Sequence, residues 1–148
     1  MKLVKDITCD EKGYAKINLA LHVTGIKEDG YHTLDSIMAF TDVFDRLFIK
    51  RSVENSLTLT GEFSYLLNVE ENSIFQALKL FEHELKDRFS IKLEKNVPIG
   101  AGLGGGSADA AAVIRFITNN CRHPMPSSEA ISKIGADIPA CVISVASR

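Results

Sequence analysis

Five glycines fall within the seven positions from Gly100 to Gly106, inside the segment PIGAGLGGGSADAA that runs from Pro98 to Ala111. Such density costs backbone entropy on folding, so it persists where the chain must turn with positive φ or where something must approach the backbone closely. Upstream, Ile91 and Leu93 alternate with polar neighbours over 90–94, which predicts a short strand; downstream, the small-residue run 108–118 predicts a helix. Bare backbone N–H groups that feed a helix N-terminus make an anion cradle, with phosphate the usual occupant. Ser107, at the junction, is placed to cap the helix and to offer its hydroxyl to that anion. Gly100, Gly102 and Gly105 also satisfy GxGxxG, but a dinucleotide fold wants that loop after its first strand, and here it comes late with only Glu129 near the expected acidic offset. A P-loop is excluded because no Gly-Lys-Ser/Thr ends the segment, and the protein-kinase loop because a helix follows without a downstream strand lysine. A turn that merely packs a helix tightly on a sheet is the plain alternative.

The remaining chain frames that loop. It has 148 residues, 45% hydrophobic and 24% charged, the balance of one globular domain, and no repeat or low-complexity tract divides it. A formal charge of -2 supplies no basic patch for nucleic acid, and no apolar run reaches the roughly 18 residues of a membrane span. The opening MKLVKDITCDEKG has no export pattern, so a cytoplasmic protein is expected. Cys9, Cys121 and Cys141 are odd in number and lack CxxC spacing, which predicts reduced thiols with Cys141 in the core. His22, His32, His83 and His123 fall at no metal-binding spacing. Strict alternation over 15–23 predicts a half-buried strand with Ile17, Leu19, Leu21 and Val23 inward, and Asp29-Gly30 tips the turn after it. Further strands are expected over 36–40, 47–50 and 56–60, helices over 73–86 and 127–134, and a buried strand over 138–145. That order of elements predicts an α+β fold.

Several polar residues sit where a bound anion would explain them. Lys16 lies mid-strand beside Asn18 on the polar face, where it either snorkels to water or meets an anion. Asp137, in Gly-Ala-Asp-Ile-Pro just past a helix end, is either a turn former or a carboxylate held at the mouth of the final apolar run. Tyr31 and His32 offer an aromatic face and a hydrogen-bonding ring that suit a base, or else form an ordinary surface turn.

Taken together, Ala-Lys-Ile-Asn-Leu at 15–19, Asp-Gly-Tyr-His-Thr-Leu at 29–34, the loop at 98–107 and Gly-Ala-Asp-Ile-Pro at 135–139 occur in an order and spacing that resemble the GHMP kinase superfamily. Within it, Lys-Ile-Asn-Leu with Asp-Gly-Tyr-His is similar to the branch acting on 4-diphosphocytidyl-2-C-methyl-D-erythritol. The resemblance implies that residues 1–148 form an N-terminal ATP-binding lobe, a two-layer α+β domain like certain ribosomal proteins. It implies transfer of the ATP γ-phosphoryl group, with Mg2+, to the 2-hydroxyl of that cytidine-diphosphate substrate in the non-mevalonate route to isoprenoids. Asp137 is then expected to accept the hydroxyl proton, with Lys16 paired to it and holding the hydroxyl near phosphorus. Asn18, Tyr31 and His32 are expected to contact substrate, the last two through the cytosine, and Asn72 to lie on the adenine side. Pro98, Gly100, Gly102, Leu103, Gly104, Gly105, Gly106 and Ser107 are expected to hold the ATP phosphates, and no protein ligand is implied for the metal. Chains of this kind carry a second lobe, about as long again, which this sequence lacks, so an open cleft and a non-catalytic nucleotide-binding domain of the same fold are the alternative.

Overall fold

The computed structural model describes residues 8–144. Its sheet has four strands in the order β1-β2-β4-β3: β1 (Thr8–Ile26), β2 (His32–Ser52), β3 (Ser56–Thr60) and β4 (Arg88–Glu94). β1 and β2 form an antiparallel hairpin, β2 pairs antiparallel with β4, and β4 pairs parallel with β3, the crossover passing through helix α1 (Ser73–Lys79). Helices α2 (Gly105–Asn120), α3 (Ser128–Ser132) and α4 (Ile138–Ser144) complete the chain. Leu47 and Ile49 of β2 and Phe89, Ile91 and Leu93 of β4 point to one face, where α2 lays a fully buried stripe from Ala108 to Ile117 across them. Phe89 meets Phe116 edge-on at 5.3 Å. Period-2 burial in the strands and an apolar helix above them give two layers around one core, the α+β class expected.

The structure departs from the sequence reading in four places. The strands expected over 36–40 and 47–50 are one element, β2, which reaches back to His32. Helix α1 stops at Lys79, where i to i−3 bonds from Leu80, Phe81 and Glu82 tighten the chain into turns, although Phe81 and Leu85 still face the core. The apolar run from Ile138 is helix α4, not a buried strand; Val145 lies outside the described residues. A short apolar run reads equally as strand or buried helix, and Pro139 in the first turn needs no helical partner for its missing N–H. The largest departure is in β1, where Leu19, Leu21 and Val23 are 64%, 52% and 62% exposed. Beyond Arg46 the hairpin leaves β4 behind and stands out as a two-stranded ribbon. Register slips at Tyr14/Lys16, Asn18/Ala20 and Val23/Gly25 interrupt it; at the last two an extra residue of β1, Leu19 and then Thr24, moves the residues that follow to the opposite face.

Cys141 is buried as expected, and none of the three cysteines is in a disulfide. Among the described residues no helix is long and apolar enough to cross a membrane. Because Phe116 is fully buried in an edge-on pair that joins α2 to β4, Phe116→Ala is expected to lower the unfolding free energy by about 3–5 kcal/mol. Urea denaturation followed by circular dichroism measures it, and a loss below about 1 kcal/mol would show that α2 does not anchor the core.

Candidate active site

The glycine loop leaves β4 through Asn96 and Val97 and enters α2 at Gly105, three residues earlier than the small-residue pattern predicted. Gly104 is the N-cap, left-handed at φ 67°, and the cap makes no side-chain hydrogen bond. Ser107 therefore lies inside the first turn and does not cap it, leaving the N-terminal N–H groups of α2 to face outward. They open onto a cavity of about 540 Å3 lined by Pro98, Gly100, Gly102, Leu103, Gly104, Gly105, Gly106 and Ser107, with Asn72 and Ser73 on the facing wall. All eight loop positions expected to hold phosphate thus border one space. Asn72 also borders it, but its side chain accepts from the N–H of Ile74 at 3.0 Å and caps α1. The Ser73 hydroxyl donates to the Gly106 carbonyl at 2.7 Å and ties the start of α1 to the loop.

Lys16 and Asp137 meet the loop from the β1 side. Lys16 Nζ is 2.8 Å from Asp137 Oδ2 and donates to Asn18 Oδ1 at 3.3 Å, while its backbone N–H donates to the Leu103 carbonyl at 2.8 Å. A Cβ on Gly104 would stand 2.8 Å from Lys16 Cγ, so the lysine stem lies along the loop where only glycine leaves room. The lysine side chain is 4% exposed and Asp137 is 37% exposed: the cation is held inside and the carboxylate faces outward. On the other flank, Ser107 Oγ lies 3.5 Å from where a Cβ of Gly135 would be, which sets the turn before Asp137 against α2. Lys16, Asn18, Asp137 and the loop, drawn from both ends of the sequence, are therefore brought together.

Tyr31 and His32 are not part of that cluster. They sit at the hairpin tip, where the Tyr31 N–H donates to Asp29 Oδ1 and its carbonyl accepts from Lys27 N, and where His32 pairs with Ile26 across the strands. Lys16 and Ile26 are ten residues apart on β1, a path on the order of 30 Å at about 3.3 Å per residue, along a ribbon bent by its bulges.

The sequence reading passed over a second charged group. Lys95 Nζ lies 2.5 Å from Asp45 Oδ2 and 2.9 Å from Asp109 Oδ2, and all three side chains are buried. Asp45 Oδ1 accepts from the N–H groups of Asn96 and Val97 at 2.6 and 2.7 Å. Burial pushes the Asp109 carboxyl up to about 8, against the pull of Lys95. Burial opposes the Lys95 charge, yet Asp109 and Asp45 outweigh it and raise the pKa of the amine. A parity signal was present: Asp45 falls on the inward side with Leu47 and Ile49, and Lys95 with Ile91 and Leu93.

Comparison with known proteins agrees with this geometry. Residues 72–147 match the model of the GHMP kinases N-terminal domain. The chain is 43% identical over 137 residues to a protein of Novosphingobium aromaticivorans named 4-diphosphocytidyl-2-C-methyl-D-erythritol kinase, covering 92% of this chain and 47% of the relative. It superposes with a TM-score of 0.70 on the crystal structure of a 4-(cytidine 5'-diphospho)-2C-methyl-D-erythritol kinase at 32% identity, over 92% of this chain and 49% of that one. A mevalonate pyrophosphate decarboxylase from Streptococcus pyogenes, at 15% identity and a TM-score of 0.65, shares the fold. The chain spans about half the length of the curated relatives it matches. With a matched domain model that runs from the cap of α1 through the loop and past Asp137, the chain belongs to the GHMP kinase family and carries its N-terminal domain.

Proposed function

We propose that residues 1–148 form the nucleotide-holding lobe of a kinase that transfers the ATP γ-phosphoryl group to the 2-hydroxyl of 4-diphosphocytidyl-2-C-methyl-D-erythritol, in the non-mevalonate route to isoprenoids. The observation that carries this reading is the Lys16–Asp137 pair at 2.8 Å, set against the loop that borders the cavity. In the step proposed, the N–H groups of the loop and of the first turn of α2 hold the ATP phosphates in the cavity. The acceptor hydroxyl lies on the opposite side of Gly104, beside Asp137. Its oxygen forms the new bond to the γ-phosphorus, the bond to the β–γ bridging oxygen breaks, and the proton passes to an Asp137 oxygen. Lys16, fixed by the Leu103 carbonyl and Asn18, orients that carboxylate and stabilises charge on the transferring group. Asn18 contacts the substrate near the reacting hydroxyl, and Tyr31 and His32 stack on and hydrogen-bond the cytosine from the hairpin tip. Magnesium accompanies ATP in this reading; among the described residues no group of three or more His, Cys, Asp or Glu side chains is placed to hold a metal ion, and no step is routed through it. Cys9, Cys121 and Cys141, none of them in a disulfide, support a cytoplasmic setting.

The chain covers 47% of the relative, and in a second reading residues 1–148 by themselves bind nucleotide without turnover, because transfer needs both reactants held in place. Phosphoryl transfer to the cytidyl-diphospho substrate separates the two, measured for the 148-residue chain alone and together with the remaining half of a full-length relative. Activity in either case supports the kinase; ATP binding with no transfer in both supports the second reading. Asp137→Asn is expected to reduce transfer by about 10²–10⁴-fold while leaving ATP binding unchanged. Gly104→Ala is expected to weaken ATP binding more than Gly100→Ala, because both positions have positive φ but only the Gly104 methyl meets Lys16, whereas nothing lies within 4 Å of the Gly100 position. Calorimetric titration of the two variants tests the difference, and equal losses would remove the lysine stem from the account.

A further inference from the structure

The Asp45–Lys95–Asp109 cluster takes no part in the transfer step, yet it touches the loop at its entry and at its passage into α2. Entry is held by Asp45 Oδ1, which accepts from Asn96 and Val97. At its passage into α2, a Cβ on Gly105 would stand 2.8 Å from Lys95 Nζ and 3.4 Å from Asp45 Oδ2, so the backbone there rests on the ammonium itself. One turn into α2, Asp109 Oδ2 accepts from Lys95. Lys95 and Asp109 both border the cavity, and Lys95 is the only basic side chain among the described residues that do.

The charge count then decides what the cluster can be. One ammonium and two ionised carboxylates carry a net negative charge, placed directly beneath the N–H groups that must receive an anion. The two carboxylates are not equivalent. Both oxygens of Asp45 accept from N–H donors, so neither is left without a partner. Asp109 Oδ1 is buried and has no hydrogen-bond partner, so ionising that group is the costlier choice. From β1 the neighbour of Asp109 is Gly13, where a Cβ would come within 2.7 Å of Oδ1, and no charge is added there. From α4 the neighbour is Cys141, whose thiol burial pushes up to about 11. Asp45 from β2 and Lys95 after β4 are thus the charged groups that face it.

We propose that Asp45, Lys95 and Asp109 are the positioning residues of the phosphate loop, and that Asp109 carries a proton so that the cluster under the loop is neutral when an anion binds. The inference rests on reading the loop as a nucleotide phosphate site. Burial, which raises the Asp109 carboxyl to about 8, places the loss of that proton just above neutral pH.

The test titrates ATP calorimetrically into the 148-residue chain and its Asp109→Asn variant between pH 7 and pH 9. Wild-type affinity is expected to fall about tenfold over that range as a negative charge appears beneath the loop. Asp109→Asn, which keeps the shape and cannot ionise, is expected to hold its pH 7 affinity, beyond the change in ATP's own ionisation common to both proteins. A purely structural role for Asp109 predicts the same pH profile in both proteins and overturns the proposal. Absence of ATP binding in wild type at every pH overturns the nucleotide reading as well, so the two failures are distinct. A carboxyl-carbon NMR titration of Asp109 in the unsubstituted chain needs no variant: a midpoint near 8 supports the proposal, and one below about 5 overturns it.

Discussion

Lys95 joins four parts of the molecule through one ammonium. Its partners come from β2 and from α2, it follows β4 itself, and Gly13 of β1 leaves the space that Asp109 fills. Removing one partner from a buried ion cluster costs about 3–5 kcal/mol, because the charge left behind has no water to replace it. Any shift of β1 against β2 would carry Gly13 away from Asp45, its cross-strand partner, and put a side chain into Asp109. The register of the hairpin, the seat of α2 and the start of the loop are thereby coupled. A glycine-rich loop left to itself would sample many conformations; this one is tethered by the Ser73 hydroxyl, the Leu103 carbonyl and the carboxylate of Asp45.

Local pattern was enough where one physical rule acts alone. The strand at 56–60 and the inward parity of Ile91 and Leu93 were legible because each strand has one core-facing side; α2 was legible by its run of small apolar residues, and it is buried on every side from Ala108 to Ile117. The loop was legible because five glycines in seven positions have few physical explanations. The pattern of 15–23 misled for a different reason: alternation records which residues are apolar and says nothing of what lies above them. In the ribbon the register slip at Asn18/Ala20 also breaks the period of two, so Ile17 pairs with Ala39 before the slip and Leu21 with Ser36 after it, on opposite faces. The Asp45–Lys95 pair was hidden because opposite charges on two strands become one interaction only once β2 and β4 are known to be neighbours.

The placement of Lys16 shows how the fold turns a strand residue into a site residue. In a regular strand, neighbours face opposite sides, so Ala15 and Lys16 could not both be buried under the helical layer. Here they are 1% and 3% exposed. The ladder is interrupted at this point: between the pairs Tyr14–Phe44 and Lys16–Phe40 the single residue Ala15 lies opposite three residues of β2, Thr41, Asp42 and Val43. Tyr14 is paired edge-on with Phe44 at 5.5 Å, and Lys12 lies over the same Phe44 ring, so the strand is gripped on the near side of the bulge. On the far side the Lys16 N–H, diverted from the β2 ladder, donates to the Leu103 carbonyl of the loop. At this break in the ladder the Lys16 ammonium meets Asp137 and the Lys16 backbone fastens the loop to β1. A change that restored the ladder at Ala15 and drew the Lys16 N–H back to β2 would take from the loop this backbone contact with β1, even if every glycine in it were kept.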